Sequence, residues 1–337
     1  MNLIRWYGRW FVVCVTLCIY APHEVYAQTC CSGGVPLSGN IGFSGSEAGV
    51  WQFELGYDLN LLSTLKQGNE IYLDDTRKRI TQSILFKSGF SLTERIAVDA
   101  LFTYVKQDRI VTSDLQISRV GTRGVGDAVV IGKLVLLNMN EKGMEIQVGA
   151  GPKIPLGRAD LKDERGITLN ADLQPGSNSW DLITWAFLVR QLKSRPSATL
   201  SARLVGRFNG RNREHLGSQS YQFGNSFQVN LGMGDQVLFR NRIIAPSLSL
   251  RFRYTMGDRI NSHILDNTGG EWLNIIPAVS WHLRPNTILH LVPEIPLYSR
   301  VEGLQLTPTF RIQVGLYHAI GNKERKKSSK NEYDYKL

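Results

Sequence analysis

Few residues of this 337-residue sequence have the type and spacing that a catalytic or metal site requires. Cys30 and Cys31 are adjacent, so a vicinal disulfide, a bond to a partner chain and a soft-metal site are the functional interpretations of the pair. A functionally silent N-terminus is the structural alternative. Neither a Cys-x-x-Cys motif nor a histidine cluster supplies further ligands, so the sequence predicts no metal and no cofactor.

Acid–base chemistry has one candidate pair. His290 and Glu294 are four residues apart, which would place both on one face of a β-strand. Covalent catalysis also needs an activated nucleophile, and no histidine belongs to a His-x-Ser-Asn arrangement, which is typical of phospholipase barrels. Gly149-Ala150-Gly151 is not a nucleotide site, because a phosphate-binding glycine loop must lead into a helix. We therefore predict that the protein is not an enzyme.

A third group consists of charged residues that alternate with apolar ones. In 248–254, Arg251 and Arg253 alternate with Leu250 and Phe252, so the two kinds of side chain lie on opposite faces of a strand. An arginine facing lipid costs about 2 to 4 kcal/mol at the bilayer midplane, so the charged face must point into the lumen of a membrane barrel. The predicted lumen-lining residues are Glu54, Asp58, Asp99, Glu145, Arg203, Arg207, Arg251, Arg253, Glu294 and Arg311. Two roles are open: a transverse field that steers a polar or anionic solute, and salt bridges that fill and rigidify the barrel.

Strands must position these side chains, and alternation of apolar and polar residues recurs along the chain. It predicts twelve strands, at approximately 49–62, 78–91, 94–106, 125–138, 143–154, 179–191, 196–208, 219–232, 242–256, 270–283, 286–299 and 304–319. No segment has a convincing helical period with caps. The expected fold is all-β: a transmembrane antiparallel up-and-down β-barrel of about 12 strands.

The lengths of the connections support a membrane barrel. Those after strands 2, 4, 6 and 10 are short, whereas those after strands 1, 3, 5, 7 and 9 are long and polar, as periplasmic turns and extracellular loops are. The connection at 233–241 is longer than this rule predicts, and the one after strand 11 is shorter. A soluble β-sandwich is the alternative, but its strands are usually about 5 to 6 residues long, whereas a tilted membrane strand needs about 9 to 11.

The chain starts with the layout of a secretory signal: Arg5 and Arg9, an apolar run at 10–21, and small residues ending at Ala27. We expect a signal peptide at 1–27, a periplasmic N-terminal segment with Cys30-Cys31 at 28–48, the barrel at 49–320, and a charged, disordered periplasmic tail at 321–337. A composition of 42% hydrophobic residues with a net charge of +10 excludes a disordered polymer. The mean hydropathy of -0.16 excludes a bundle of transmembrane helices but not a barrel.

Three short motifs carry a family resemblance. Gly124-Val125-Gly126-Asp127 opens a strand, Lys153-Ile154-Pro155-Leu156-Gly157 closes the next, and Leu173-Gln174-Pro175-Gly176-Ser177 is followed by Trp180-Asp181. In this order the motifs resemble a family of outer-membrane β-barrel proteins associated with the meta-pathway of phenol degradation, related in architecture to hydrocarbon and fatty-acid channels. The local interpretation is that Gly124 and Gly126 provide positive φ angles, that Pro155 and Gly157 end a strand, and that Gln174-Pro175-Gly176 is a turn.

The resemblance implies a channel or transporter for passive uptake of small molecules, with hydrophobic or aromatic compounds as the substrate class. A structural or adhesive surface protein without transport activity is the alternative, and a barrel-embedded lipid enzyme comes third. We expect a location in the outer membrane of a Gram-negative bacterium. The expected partners are outer-membrane lipid, a small-molecule solute and the barrel assembly machinery, with no nucleic acid.

Overall fold

The structure, a computed structural model, describes residues 28–29, 42–43, 47–112, 117–139 and 143–321. The predicted signal peptide, the Cys30-Cys31 pair and all but the first residue of the predicted tail lie outside the described residues. No helix in the described part of the chain is long and apolar enough to cross a membrane.

Eleven antiparallel strands form one closed wall, and the last of them makes two passes. The strands are β1 (Trp51–Gly68), β2 (Arg77–Ser91), β3 (Ile96–Thr112), β4 (Ile117–Val125 with Ala128–Leu137), β5 (Met144–Ile154), β6 (Asp181–Leu192), β7 (Arg195–Phe208), β8 (Ser226–Gly234 with Val237–Phe239), β9 (Arg242–Thr255) and β10 (Gly270–Arg284), followed by the continuous Thr287–Ile320. The expected fold class is confirmed.

Thr287–Ile320 bends back on itself and closes the barrel. Residues 287–301 pair with β10, whereas 301–320 pair with β1, from Val301 opposite Gly68 to Ile320 opposite Trp51. The Ala319 amide donates to the Asn286 carbonyl at 2.9 Å, so the two halves run antiparallel to each other. We name them β11 (287–301) and β12 (304–320), which gives the predicted twelve passes.

The predicted strand at 219–232 is wrong in its first half. Gln219–Gln222 belongs to a separate four-stranded sheet with Asn212–His215, Arg259–Ile260 and His263–Ile264. The wall strand β8 begins only at Ser226.

The long connection predicted at 233–241 is also wrong. Val237–Phe239 continues β8 and pairs with β9, and Arg240 and Asn241 form a two-residue turn with positive φ angles. Pro246 in β9 has no N–H to donate, so its carbonyl alone bonds Asp235, at 3.1 Å, and the ladder is interrupted there. With this correction, every connection at one end of the barrel is short, whereas the long loops all lie at the other end, together with the short connection at 302–303. The short-turn end is therefore periplasmic.

Apolar side chains form the outer face of the barrel. In β9, Leu248, Leu250, Phe252 and Tyr254 are 38% to 45% exposed, whereas Arg251 between them is 4% exposed. The exterior is therefore the lipid-facing surface, as an outer-membrane location requires.

An apolar cluster also lies inside the barrel, which the sequence pattern did not predict. Its members are buried at the inward positions of β2, β3, β4, β6 and β7: Leu85, Leu101, Val129, Ile131, Ile183, Trp185 and Val205. On these strands the lumen wall is thus apolar at mid-height, with charged inward residues such as Lys87 and Lys133 towards one end and Arg207 towards the other.

The facing of β9 predicts unequal effects for two neighbouring substitutions. Leu250→Arg should impair folding into bilayers, because its charge would lie in hydrocarbon at a cost of about 2 to 4 kcal/mol. Ser249→Arg, one residue away on the inward face, is the matched control and should fold. Urea unfolding of protein refolded into liposomes measures both, and equal destabilisation would show that this facing is wrong.

Candidate functional site

The predicted lumen residues lie at inward positions, and most of them form ion pairs. Arg311 bonds Asp58 at 2.8 Å, and Arg251 bonds Glu294 at 2.6 Å. Lys87 bonds Glu54 at 2.9 Å. In a medium of low dielectric constant, an uncompensated charge is costly, so each pairing makes burial of both partners tolerable.

Further pairs involve lysines that the sequence analysis did not select. Lys133 bonds Asp99 at 2.7 Å, with both side chains buried. Glu145 accepts a hydrogen bond from the Gln147 amide. Lys133 and Gln147 occupy inward positions of predicted strands, so alternation alone could have identified them.

Two of the predicted arginines lie over aromatic rings. The guanidinium carbon of Arg203 is 5.1 Å from the ring centre of Phe187, and that of Arg253 is 4.3 Å from the ring centre of Trp272. Such contacts stabilise a guanidinium by cation–π attraction.

A fully buried charge network lies at the long-loop end of the wall. The Lys153 ammonium is 2.7 Å from Asp127 and 3.1 Å from Asp181, and it also bonds Ser177. Arg207 donates to Asp181 at 2.8 Å. The charges of one lysine and one arginine thus compensate those of two carboxylates across β4, β5, β6 and β7.

The motif residues of the predicted family meet at this network. Asp127 accepts hydrogen bonds from the Gly157 amide at 3.1 Å and the Ser177 amide at 3.1 Å. Gly157 and Gly176 touch backbone to backbone, since a Cβ on Gly157 would lie 2.6 Å from the Gly176 Cα. The loop at 155–180 is therefore fixed to the barrel at both of its ends.

The expected positive φ angles at Gly124 and Gly126 are wrong, because neither glycine is among those with positive φ. Gly124 is instead needed for close approach, since a Cβ there would lie 3.2 Å from the Pro175 ring. Gln174 is a buried anchor rather than a turn residue: its side chain bonds the backbone of Leu161 and Leu169 at 3.0 Å. Pro155 follows the end of β5 as predicted, and the Trp180 side chain is 62% exposed.

Three long loops join into a cap over the barrel mouth. From loop 155–180, Asp172 accepts a 2.9 Å bond from Arg79 of β2. Ala171 packs with Tyr221 and Phe223 of loop 209–225. The Tyr221 hydroxyl donates to Asp258 of loop 256–269 at 2.6 Å.

Asp258 gives the cap a titratable group. Burial raises the pKa of its carboxyl to about 6, and the nearby Asp172 charge acts in the same direction. Hydrogen bonds from Tyr221 and the Gly224 amide, together with the Arg207 charge, oppose that rise in pKa only in part.

Residues 42–43 lie in the lumen, whereas the expected location of 28–48 is the periplasm. The Phe43 amide donates to Asp99 at 2.9 Å, and Lys133 donates to the Phe43 carbonyl at 2.8 Å. Gly42 lies so close to Trp185 that a Cβ would be 2.8 Å from the indole ring. Residues 42–43 therefore narrow the interior.

The described residues enclose two sizeable cavities in the periplasmic half of the lumen. One has a volume of about 230 Å³ and is lined both by aromatic side chains and by Glu54, Arg203 and His290. The other, of about 170 Å³, is lined mainly by serine, asparagine and glycine. Both are lined by Phe187 and Arg203, so the two cavities meet at these side chains.

The candidate acid–base pair is not formed as predicted. Nδ1 of His290 lies 2.8 Å from the Ser280 hydroxyl, whereas Glu294 bonds Arg251 and Asn274. The sequence analysis missed Ser280 because the two residues lie on adjacent strands, ten positions apart. Within the described ranges, histidine, cysteine and carboxylate side chains form no group of three that could hold a metal ion.

Comparison with one solved structure supports the fold. An outer membrane channel from Pseudomonas putida F1 superposes with a TM-score of 0.65 at 15% sequence identity, over 84% of this chain and 100% of that chain. The transport unit of an Escherichia coli autotransporter gives 0.43 at 11% identity, over 84% and 94% of the two chains. The β-domain of a Bordetella autotransporter gives 0.42 at 11% identity, over 82% and 100%.

No curated protein matches this sequence. A family model does match, over residues 48–291, which is more than half of the chain and includes all three motifs. The chain therefore belongs to the family described as "Putative MetA-pathway of phenol degradation".

Proposed function

We propose that this barrel is an outer-membrane channel for the passive uptake of small molecules. The observation that carries the proposal is the pair of adjoining cavities inside a closed barrel, which meet at Phe187 and Arg203. A purely structural barrel of this size can fill its interior with side chains, whereas a channel needs interior space that solutes can enter.

The interior charges act mainly as structural pairs in this proposal. Arg207 and Arg251 each hold a carboxylate at 2.8 Å or less, so they neutralise charge rather than present it to a solute. Arg203 lines both cavities. Of the two roles left open by the sequence, salt bridging therefore suits Arg207 and Arg251, and solute contact suits Arg203.

The conformation described is closed towards the outside, because the cap covers the long-loop end. Solute entry would require the contacts between loops 209–225 and 256–269 to open. The Tyr221–Asp258 hydrogen bond joins these two loops directly, so we place the gate at this contact.

A structural or adhesive role without transport is the second candidate. Liposome swelling with a panel of sugars, amino acids and aromatic compounds separates the two functions. Swelling above that of empty liposomes supports the channel, and its absence with correctly folded protein would overturn the proposal.

Catalysis is not part of the proposal, although Ser280 and His290 are in hydrogen-bonding distance. An activated serine needs a third group that orients the histidine. Glu54, the carboxylate that lines the same cavity as His290, bonds Lys87 at 2.9 Å. Ser280→Ala should leave the hydrolysis of p-nitrophenyl esters by the purified protein unchanged, and a loss would assign catalysis to this pair.

Arg203→Gln should shift the reversal potential of single channels towards cation selectivity, because it removes positive charge where the two cavities meet. Arg190→Gln is the matched control, since Arg190 lies at an exposed outward position of β6. Planar-bilayer recordings in a salt gradient measure both variants. Equal reversal potentials for the unsubstituted protein and both variants would place Arg203 away from the permeation path.

Channel opening should increase as the pH rises through about 6. The raised pKa of Asp258 means that the closed cap holds a proton up to about pH 6, whereas an exposed aspartate releases it near pH 3.9. Protonation of Asp258 therefore stabilises the closed cap fully below about pH 4. This stabilisation is lost as the pH rises through about 6, the pKa of the closed state. A pKa difference of about 2 corresponds to roughly 100-fold in the closing equilibrium.

Asp258→Asn should make the open probability independent of pH between 4.5 and 7.5, since the amide does not ionise. Asp163→Asn is the control, because Asp163 lies in loop 155–180 and hydrogen-bonds only within that loop among the contacts described. Single-channel recordings at about pH 4.5 and about pH 7.5 test the gate. A pH dependence that persists in Asp258→Asn would locate the titrating group elsewhere.

A further inference from the structure

The larger cavity has the size and lining of a site for one aromatic ring. Its volume is about 230 Å³. The aromatic and aliphatic part of its wall is Phe43, Trp185, Phe187, Ile288 and Tyr317, and the polar part is Glu54, Arg203 and His290. An apolar cavity of about 150 Å³ is enough to hold benzene. A single ring with one substituent therefore fits, and aromatic walls favour flat ligands through stacked or edge contacts.

Arg203 adds a charged contact at the end of this cavity. Its guanidinium carbon lies 5.1 Å from the Phe187 ring centre, and its side chain also lines the smaller, polar cavity. A guanidinium binds a carboxylate through two parallel hydrogen bonds, which makes the contact both strong and directional.

Charges near Arg203 permit an anion at this position. Glu54 lines the larger cavity, but its carboxylate is held by Lys87 at 2.9 Å. Asp99, on the other side of Phe43, is held by Lys133 at 2.7 Å. Both carboxylates are thus neutralised by their own partners, so an incoming carboxylate would meet little net repulsion.

The smaller cavity supplies hydroxyl donors next to the guanidinium. Ser201, Ser247 and Ser249 line it together with Asn230. Hydroxyl and amide groups can satisfy those lone pairs of a buried carboxylate that the arginine does not reach.

From this arrangement we infer that the lumen site binds a single-ring aromatic carboxylate, with its ring against Phe187 and Trp185 and its carboxylate on Arg203. The inference rests on the proposed function, since it names the solute class of the same channel. A neutral aromatic would contact the aromatic wall without engaging the Arg203 charge, and a short aliphatic carboxylate would engage that charge but leave the aromatic wall in water.

Three probes, benzoate, benzamide and acetate, separate the contribution of the ring from that of the charge. Their binding to the purified full-length protein is measured by isothermal titration calorimetry at pH 8. Benzamide has the ring and shape of benzoate without the charge, and acetate has the charge without the ring. We expect benzoate to bind at least tenfold more tightly than either of the others. Equal affinity for benzoate and benzamide would overturn the inference.

Arg203→Gln should reduce benzoate affinity to the level of benzamide, while benzamide affinity stays unchanged. Arg253→Gln is the matched control, because Arg253 lies over Trp272 and is not part of the lining of either cavity. If Arg203→Gln does not fold, as judged by heat-modifiable gel migration, Ser249→Leu provides the second test, since it fills the polar cavity and should also weaken benzoate binding. Unchanged benzoate affinity in a folded variant would contradict the assignment.

Liposome swelling with arabinose distinguishes failure of this inference from failure of the proposed function. Swelling without a preference for benzoate over benzamide would leave a channel with a different solute class. Absence of both swelling and binding would overturn the channel proposal as well.

Discussion

Closure of the wall is the constraint on which the rest of the structure depends. In hydrocarbon, every backbone N–H and C=O group must find a partner within the protein, so the first and last strands have to pair. Here β12 pairs with β1 along its whole length, from Leu304 opposite Gln67 to Ile320 opposite Trp51. This pairing fixes the start of β1 at the periplasmic rim, and residues 42–43 lie close enough to that rim to enter the lumen.

Closure also determines where the charges lie. An apolar exterior forces each charged face inward, and the low dielectric constant of the interior then requires the charges to compensate one another. Lys153 contacts both Asp127 and Asp181, and Arg207 also pairs with Asp181, so two cations and two carboxylates compensate one another in one network. The resulting network fixes the base of loop 155–180, so the electrostatics of the wall also position the cap.

Strict alternation made much of the fold predictable, whereas the contacts between distant segments could not be predicted from it. The runs around Arg203 and Arg251 predicted both strand position and facing, because one face of each is apolar throughout. The alternation fails at 128–131, where Ala128, Val129, Val130 and Ile131 are all apolar. Such a run indicates burial on both faces, and it is here that the inner apolar cluster lies. The close approach of Gly157 to Gly176 depends on how a loop folds, which local pattern does not encode.

The interior is divided into a region filled by long charged side chains and a region lined by small ones. At the long-loop end, long charged side chains such as Arg79, Lys153 and Arg207 fill the lumen and are almost completely buried. Towards the short turns, the inward positions of β7, β8 and β9 carry Ser201, Gly232 and Ser249, whose small side chains leave space. Arg203 lies between the two regions, next to the aromatic wall. Since a cavity persists only where side chains cannot fill it, these small residues, rather than the charged ones, set the position of the open volume and bring Arg203 to its edge.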